Sequence, residues 1–426
     1  LDDNEILISV DGVDKGKMYD IQSGITYSPA VNIYTTSSAT LNCGQDSTFQ
    51  GQESSGGNTD SGGIGDFAYA VPSGYKALCS ANLPDPTIKL PNQHFNTVLY
   101  TGNNNTSQNI TGVGFQPDFV WVKNRDNVER HHLVDAVRGD NKVLFSSETD
   151  SERTGSHGAG HTQLNLASDG FNLVSNGSND ELNFGTRTYV AWNWNAGGST
   201  VTNNEGSKSA QVRANASAGF SIISYTGDGT SGTTVGHGLG VAPKIMFHKD
   251  RDSSNNWYTI TTAVDGSADY LYLNLTNAKG NSAVTAPTSS LVYFTSSTES
   301  NANGRDYIMY AFSEVAGYSK FGSYTGNGSS DGTFIFLGFQ PAWVMIKRIS
   351  ATEGWQIFDN KRDPDNVIEN RIEANTTEGD VTSIDWLDFL SNGIKHRVNR
   401  TNTNTSGSTY IYLAFAESPF KYSRAR

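Results

Sequence analysis

The chain has 426 residues and a net charge of −13, with charged residues at 17%, aromatics at 11% and 44 glycines. An acidic balance of this size excludes a uniformly basic nucleic-acid binder, because neutralising phosphates needs a cationic face. The longest apolar run, residues 410–416, is seven residues, where a membrane helix needs about 20. Tyr, Phe, Trp and β-branched residues recur throughout and supply apolar area for several cores, which excludes a disordered chain. The chain opens at Leu1, which predicts a processed or truncated product and leaves targeting unread.

Residues 1–81 carry strand-like stretches at 6–10, 27–34 and 39–43, and a Gly/Ser/Asn loop between Gln50 and Gly65. Cys43 and Cys79 are too few for a disulfide framework. Two buried thiols are expected, with a single bridge as the alternative. Residues 82–94 include Pro84, Pro86 and Pro91 and read as an extended linker.

From there an internal repeat organises the chain. Tyr100-Thr101-Gly102, Tyr225-Thr226-Gly227 and Tyr324-Thr325-Gly326 each end a strand and open a polar loop. Gly114-Phe115-Gln116-Pro117, Gly240-Val241-Ala242-Pro243 and Gly338-Phe339-Gln340-Pro341 follow, each leading into an apolar strand that meets Lys123, Lys249 or Lys347. Pro suits a strand start, where its missing N–H is no loss. Each copy closes on an aromatic strand around Tyr189, Tyr307 or Tyr410, which lie 89, 82 and 86 residues after the first tyrosine. Copies of this size with short strands predict an all-β protein of tandem antiparallel β-sandwich modules. The expected boundaries are 95–195, a polar linker over 196–218, 219–314 and 315–426. One short helix is expected over residues 384–390, stopped by Asn392-Gly393.

These marks resemble a repeat of virion proteins from marine tailed phages, including cyanophages. The likeness rests on residues 109–125, with Gly114-Phe115-Gln116-Pro117, on residues 219–227 and 317–326, and on the ending at 412–420. Residues 28–45 and 67–78 are similar to the last half of a SPRY-type, concanavalin-like sandwich whose first half is missing. The resemblance implies a structural or tail-fibre-like role and brings no catalytic residues with it.

No nucleophile elbow, Walker-type loop or zincin spacing occurs. Gly236-His237-Gly238-Leu239-Gly240 is read as the turn before a strand. His157 and His161 sit on Gly-rich chain, so their rings need not converge. His131 and His132 are neighbours and point to opposite faces of a strand. Asp250, Asp252, Ser254 and Asn256 offer oxygens at alternate positions, as a calcium loop does, but lack its sixth-position glycine and final glutamate. A solvated turn is the main expectation there, with a structural calcium as the weaker alternative. The three strand-end lysines are expected to be exposed and to discourage edge pairing, with an intermodule salt bridge to a neighbouring Asp or Glu as the alternative. Trp192, Trp194, Trp257, Trp355 and Trp386 are expected in cores, unless one stands on a loop and stacks on a sugar ring.

The resulting expectation is a non-enzymatic virion protein, a tail fibre or appendage that adheres to host-surface glycan. It is assembled in the host cytoplasm, self-associates as a homo-oligomer such as a trimer, and contacts other virion proteins, without nucleic acid, membrane, metal or cofactor. An architectural capsid-surface or extracellular filament protein and a glycan-degrading tail enzyme are the alternatives. Residues 1–81 are expected at the docking end. Loops 103–109, 228–234 and 327–331 are expected to face outward.

Overall fold

The computed structural model describes residues 5–10, 13–20, 40, 42–154, 163–175 and 181–423. Among them every strand-to-strand ladder is antiparallel and no helix reaches seven residues, so the chain is all-β, as the strand chemistry predicts. It divides into two units, residues 1–84 and 85–426.

In the first unit, Glu5–Val10 pairs with Val13–Asp20 as a hairpin, and Asn58 bridges Phe67. Asp60 organises the rest of the loop chain. One carboxylate oxygen accepts from the backbone of Gly62 and Ile64, the other from Ala77 and the Asn82 amide. The expected strand at 27–34 lies outside the described residues, and Thr40, Asn42 and Cys43 are not in a strand. Cys43 and Cys79 are half-buried rather than buried, and unbridged.

In the second unit three modules share one plan. Each has an opening strand (Phe95–Thr101, Phe220–Thr226, Ser319–Thr325), a proline strand (Phe119–Asn124, Ile245–Asp250, Phe339–Arg348) and a closing strand (Thr188–Trp194, Asp306–Phe312, Thr409–Pro419). The closing strand lies between the other two in every case. The register is the same throughout. Tyr189 faces Tyr100, Tyr307 faces Tyr225, and Tyr410 faces Tyr324. Phe119, Ile245 and Trp343 face Trp194, Phe312 and Phe415. A small outer sheet covers each main sheet, led by Ser107–Ile110, Thr234–Gly236 or Phe334–Phe336. Side chains alternate, so Tyr189 and Ala191 enter their own module's sandwich core while Val190, Trp192 and Trp194 point the other way.

That other face does not meet water. Phe119 and Trp194 from the first module, Phe247 and Phe312 from the second, and Trp343 and Phe415 from the third join one common core. The modules, the tandem sandwiches expected from the repeat, therefore close into a ring around a pseudo-threefold axis. This is why the proline strands read as continuous apolar runs: both of their faces are covered. The void left on the axis is about 10 Å³, lined only by apolar and aromatic residues. It is at the lower limit for one water, so the centre is a dry core and not a channel.

Two expectations are corrected. Residues 196–218 are not a plain linker: Val201–Asn203 and Ala210–Asn215 add two strands to the second module's main sheet. The expected helix at 384–390 is instead the strand Leu387–Leu390, hairpinned to Gly393–His396. Leu387 and Phe389 alternate into the core, and of the apparent helix stop Asn392 lies in the two-residue turn Ser391-Asn392 while Gly393 opens the returning strand.

Candidate functional site: three anchored loops and the seams beneath them

Lys123, Lys249 and Lys347 end the proline strands, and all three are buried, not exposed. The strand end they occupy lies in the seam between modules. Lys249 Nζ donates to the carbonyls of Thr149 in the first module (3.0 Å), Asp250 (3.0 Å) and Asn255 (2.9 Å). Lys347 Nζ donates to Thr276 in the second module (3.2 Å) and to Arg348 (2.7 Å). Lys123 Nζ donates to Asn124 (2.6 Å), with Asp380 of the third module among the acids favouring its charge. Burial draws each ammonium down to about 8, which leaves it protonated at neutral pH.

Beside the lysines, two seams carry the same polar network. Between the first and second modules, Arg138 pairs with Asp135, Tyr310 donates to Asp135 (2.7 Å), and Arg251 pairs with Glu152 (2.8 Å). Between the third and first, Arg362 pairs with Asp359 (2.6 Å), Trp192 donates to Asp359 (3.1 Å), and Arg125 pairs with Asp380 (2.7 Å). At the seam between the second and third modules, repeat spacing from the proline puts Thr261, Val264 and Ile349 at the corresponding places, and spacing from the closing-strand tyrosine puts Leu413 there. The backbone bond that crosses each seam is kept, as Glu152 to Arg251, Asp380 to Arg125 and Lys279 to Ile349. These four positions thus change together, from hydrogen-bonded and ionic to mostly apolar, while the position of Glu152 and Asp380 holds Lys279.

On this frame each Tyr-Thr-Gly motif launches a loop. The paired tyrosines stack, with centroids 4.8, 5.4 and 5.0 Å apart. The hydroxyls of Tyr100, Tyr225 and Tyr324 donate to the carbonyls of Leu182, Ser300 and Thr403. Gly102, Gly227 and Gly326 lie against the backbone carbonyls of Phe184, Ala302 and Thr405, where any Cβ would overlap. Then one buried asparagine pins each loop from below. Asn183, Asn301 and Asn404 accept from the backbone of Asn103 (2.9 Å), Asp228 (3.0 Å) and Asn327 (3.1 Å). Their amides donate to the carbonyls of Asn105 (3.0 Å), Thr230 (2.9 Å) and Ser329 (2.8 Å). The loop tips above are exposed and polar: Asn104, Asn105, Ser231 and Ser330. Hydrogen bonds from the Thr230 N–H and the Thr233 hydroxyl hold the Asp228 carboxyl below its ordinary range, and Lys395 does the same for Asp331.

Residues 90–419 match the family described as Domain of unknown function (DUF7483). This chain belongs to that family. No curated protein matches it. The DUF7483 match spans the three modules, so the ring and its loops lie within it, and the family description assigns them no activity.

The other sequence candidates distribute around the DUF7483 ring as follows. Asp250 accepts from the backbone of Asp252 (2.9 Å) and Ser253 (3.1 Å), from the Asn255 amide (2.8 Å) and from Arg305 (3.0 Å). Asp252 accepts from the backbone of Asp306 (2.7 Å), and Asn256 accepts from the Asn274 amide (2.9 Å). The oxygens of the calcium-like pattern therefore close a turn onto protein donors, with Ser254 exposed in it. Among the described residues no three His, Cys, Asp or Glu side chains gather as metal ligands. His131 accepts from the Trp121 indole (2.8 Å) in the third–first seam, while His132 lies against Glu181 (3.1 Å). His157 and His161 lie outside the described residues. His237 is buried at the turn and meets the Thr288 carbonyl (3.1 Å). Trp192, Trp194, Trp257, Trp355 and Trp386 are all buried, so none stacks on a surface ligand. The exposed aromatics of the ring are instead Phe334, Phe336 and Tyr422, which sequence reasoning passed over because their neighbours carry the same strand chemistry.

Proposed function

We propose that this chain is a non-enzymatic structural protein of a phage particle, a tail fibre or related appendage, whose three anchored loops contact host-surface glycan. The observation that carries the reading is the threefold repetition of one rigid device. A buried asparagine holds each loop while its amides, hydroxyls and carboxylates face water. Groups of this kind hydrogen-bond sugar hydroxyls, and three equivalent weak contacts on one chain gain from effective concentration. Anchoring before contact lowers the ordering cost of binding. Self-association would multiply the loops further.

The test is retention of the purified chain on host-cell surface polysaccharide. Exchanging Asn105, Ser231 and Ser330 for glutamate leaves all three anchors in place. Each single exchange should weaken retention modestly and the triple exchange should abolish it, with unchanged circular dichroism. Full retention by the triple variant refutes the assignment to the loops. Antibody labelling of intact particles tests the location: absence from the particle refutes the virion role.

A further inference from the structure

The second module is closed on a side that the third leaves open. Ala210–Asn215 extends the second module's main sheet beyond its opening strand, burying Ala210 and Val212 in the sandwich core. The chain just before it crosses to the outer sheet. Lys208 N–H donates to the Thr234 carbonyl (3.0 Å), and Ser207 exchanges bonds with Thr234 through both hydroxyls (2.9 Å each). Gly206 lies so close to the Thr234 carbonyl that a Cβ would overlap it. Thr234 and Gly236 are accordingly buried.

In the third module the equivalent strands, Ser319–Thr325 and Phe334–Phe336, are each the last of their sheet among the described residues. Single side chains stand in for a strand there. Glu314 accepts from the Phe321 N–H (2.9 Å), and Lys320 donates to the Phe336 carbonyl (2.8 Å). Phe334 and Phe336 remain 44% and 52% exposed, where Thr234 and Gly236 are covered. An open sheet edge beside two exposed rings is a template for an added strand.

The same chain carries a strand of the right kind. Among the described residues the hairpin Glu5–Val10 with Val13–Asp20 forms a two-stranded sheet, and its second strand exposes Val13, Met18 and Tyr19. Its first strand alternates Ile6, Ile8 and Val10 as the closing segment of the second module alternates Ala210, Val212 and Ala214. We propose that the hairpin of residues 5–20 from a second copy of this chain adds to the open side of the third module, as residues 201–215 close the second. The inference rests on the self-association named above and assigns its surface.

The full-length chain is the material for the test. A photo-reactive benzoylphenylalanine replaces Phe336 in a mixture of isotopically heavy and light copies, and cross-linked peptides are identified by mass spectrometry. The expected product joins position 336 of one copy to residues 5–20 of another. Phe334→Lys with Phe336→Lys should weaken association by about tenfold or more. Ile8→Lys should do the same without touching the third module, which covers the case of a misfolded ring. A chain monomeric at about 100 µM overturns self-association itself. An oligomer whose cross-links stay within one copy, or avoid residues 5–20, overturns only this assignment.

Discussion

Replacing Asp135 by threonine isolates the physics of the seams. Asp135 and Arg138 have side chains with 0% exposure, so the variant leaves a guanidinium in the core without its main partner. Arg138 keeps the Leu133 carbonyl (2.9 Å) and a longer contact to Glu152 (3.4 Å). Breaking a buried pair from one side costs about 3–5 kcal/mol, and these residual contacts place the expected loss near 3 kcal/mol. The chain itself shows the remedy. At the seam between the second and third modules Thr261 and Val264 stand where Asp135 and Arg138 stand, and Leu413 where Tyr310 stands. Thr261 still accepts from the Ala263 N–H (3.2 Å), so the turn cap survives the exchange. The triple variant Asp135→Thr, Arg138→Val, Tyr310→Leu should therefore be more stable than Asp135→Thr alone, within about 1 kcal/mol of the parent. Urea unfolding followed by tryptophan fluorescence reads this directly, because all seven tryptophans lie in the ring. A single variant costing under about 1 kcal/mol, or a triple variant worse than the single, would refute the reasoning.

Further outcomes follow from individual contacts. Neither ring nitrogen of His396 has a partner among the described residues, and the ring stacks on Tyr324 at 5.1 Å. His396→Phe should raise stability by up to about 1–3 kcal/mol in urea unfolding, since it removes unpaired buried polar atoms, less the strain of fitting a ring one atom larger. Burial holds His248 and His396 at about 4 and about 3, below the ordinary 6.5. Between those values the unfolded chain binds protons that the folded chain does not. Stability should thus fall as pH drops below 6.5, and less steeply in His396→Phe. Gly227→Ala should cost about 1–3 kcal/mol by forcing a methyl into the Ala302 carbonyl, measured by the same unfolding curves. Asn301→Ala should speed amide exchange across residues 228–234 without unfolding the ring, and unchanged exchange there would show that the anchor is dispensable.

Much of this protein is written locally. Tyr-Thr-Gly, the proline before an apolar run and the closing aromatic strand each specify a backbone event within a few residues. Their order alone marks strands whose register proves identical in all three copies, down to Tyr189 on Tyr100 and Tyr410 on Tyr324. The loops were legible for the same reason, because glycine and asparagine mark turns wherever they fall. The anchors beneath them were not: Asn183 lies 80 residues from the Asn103 N–H it accepts from, and nothing local distinguishes it from a surface asparagine. Closure of the ring was decided at the same distance. A strand buried on both faces shows only a continuous apolar run, which does not say that the second face meets two other modules. Once it does, the strand-end lysines lie in seams and take carbonyl partners, every tryptophan but Trp386 joins the shared core, and the chain between the first two modules completes a sheet. The block exchange at the second–third seam was present in the residues all along. It acquires meaning only when folding brings Asp135 to Tyr310 and Asp359 to Trp192, because an ion pair's free energy depends on what surrounds it as well as on the residues that form it.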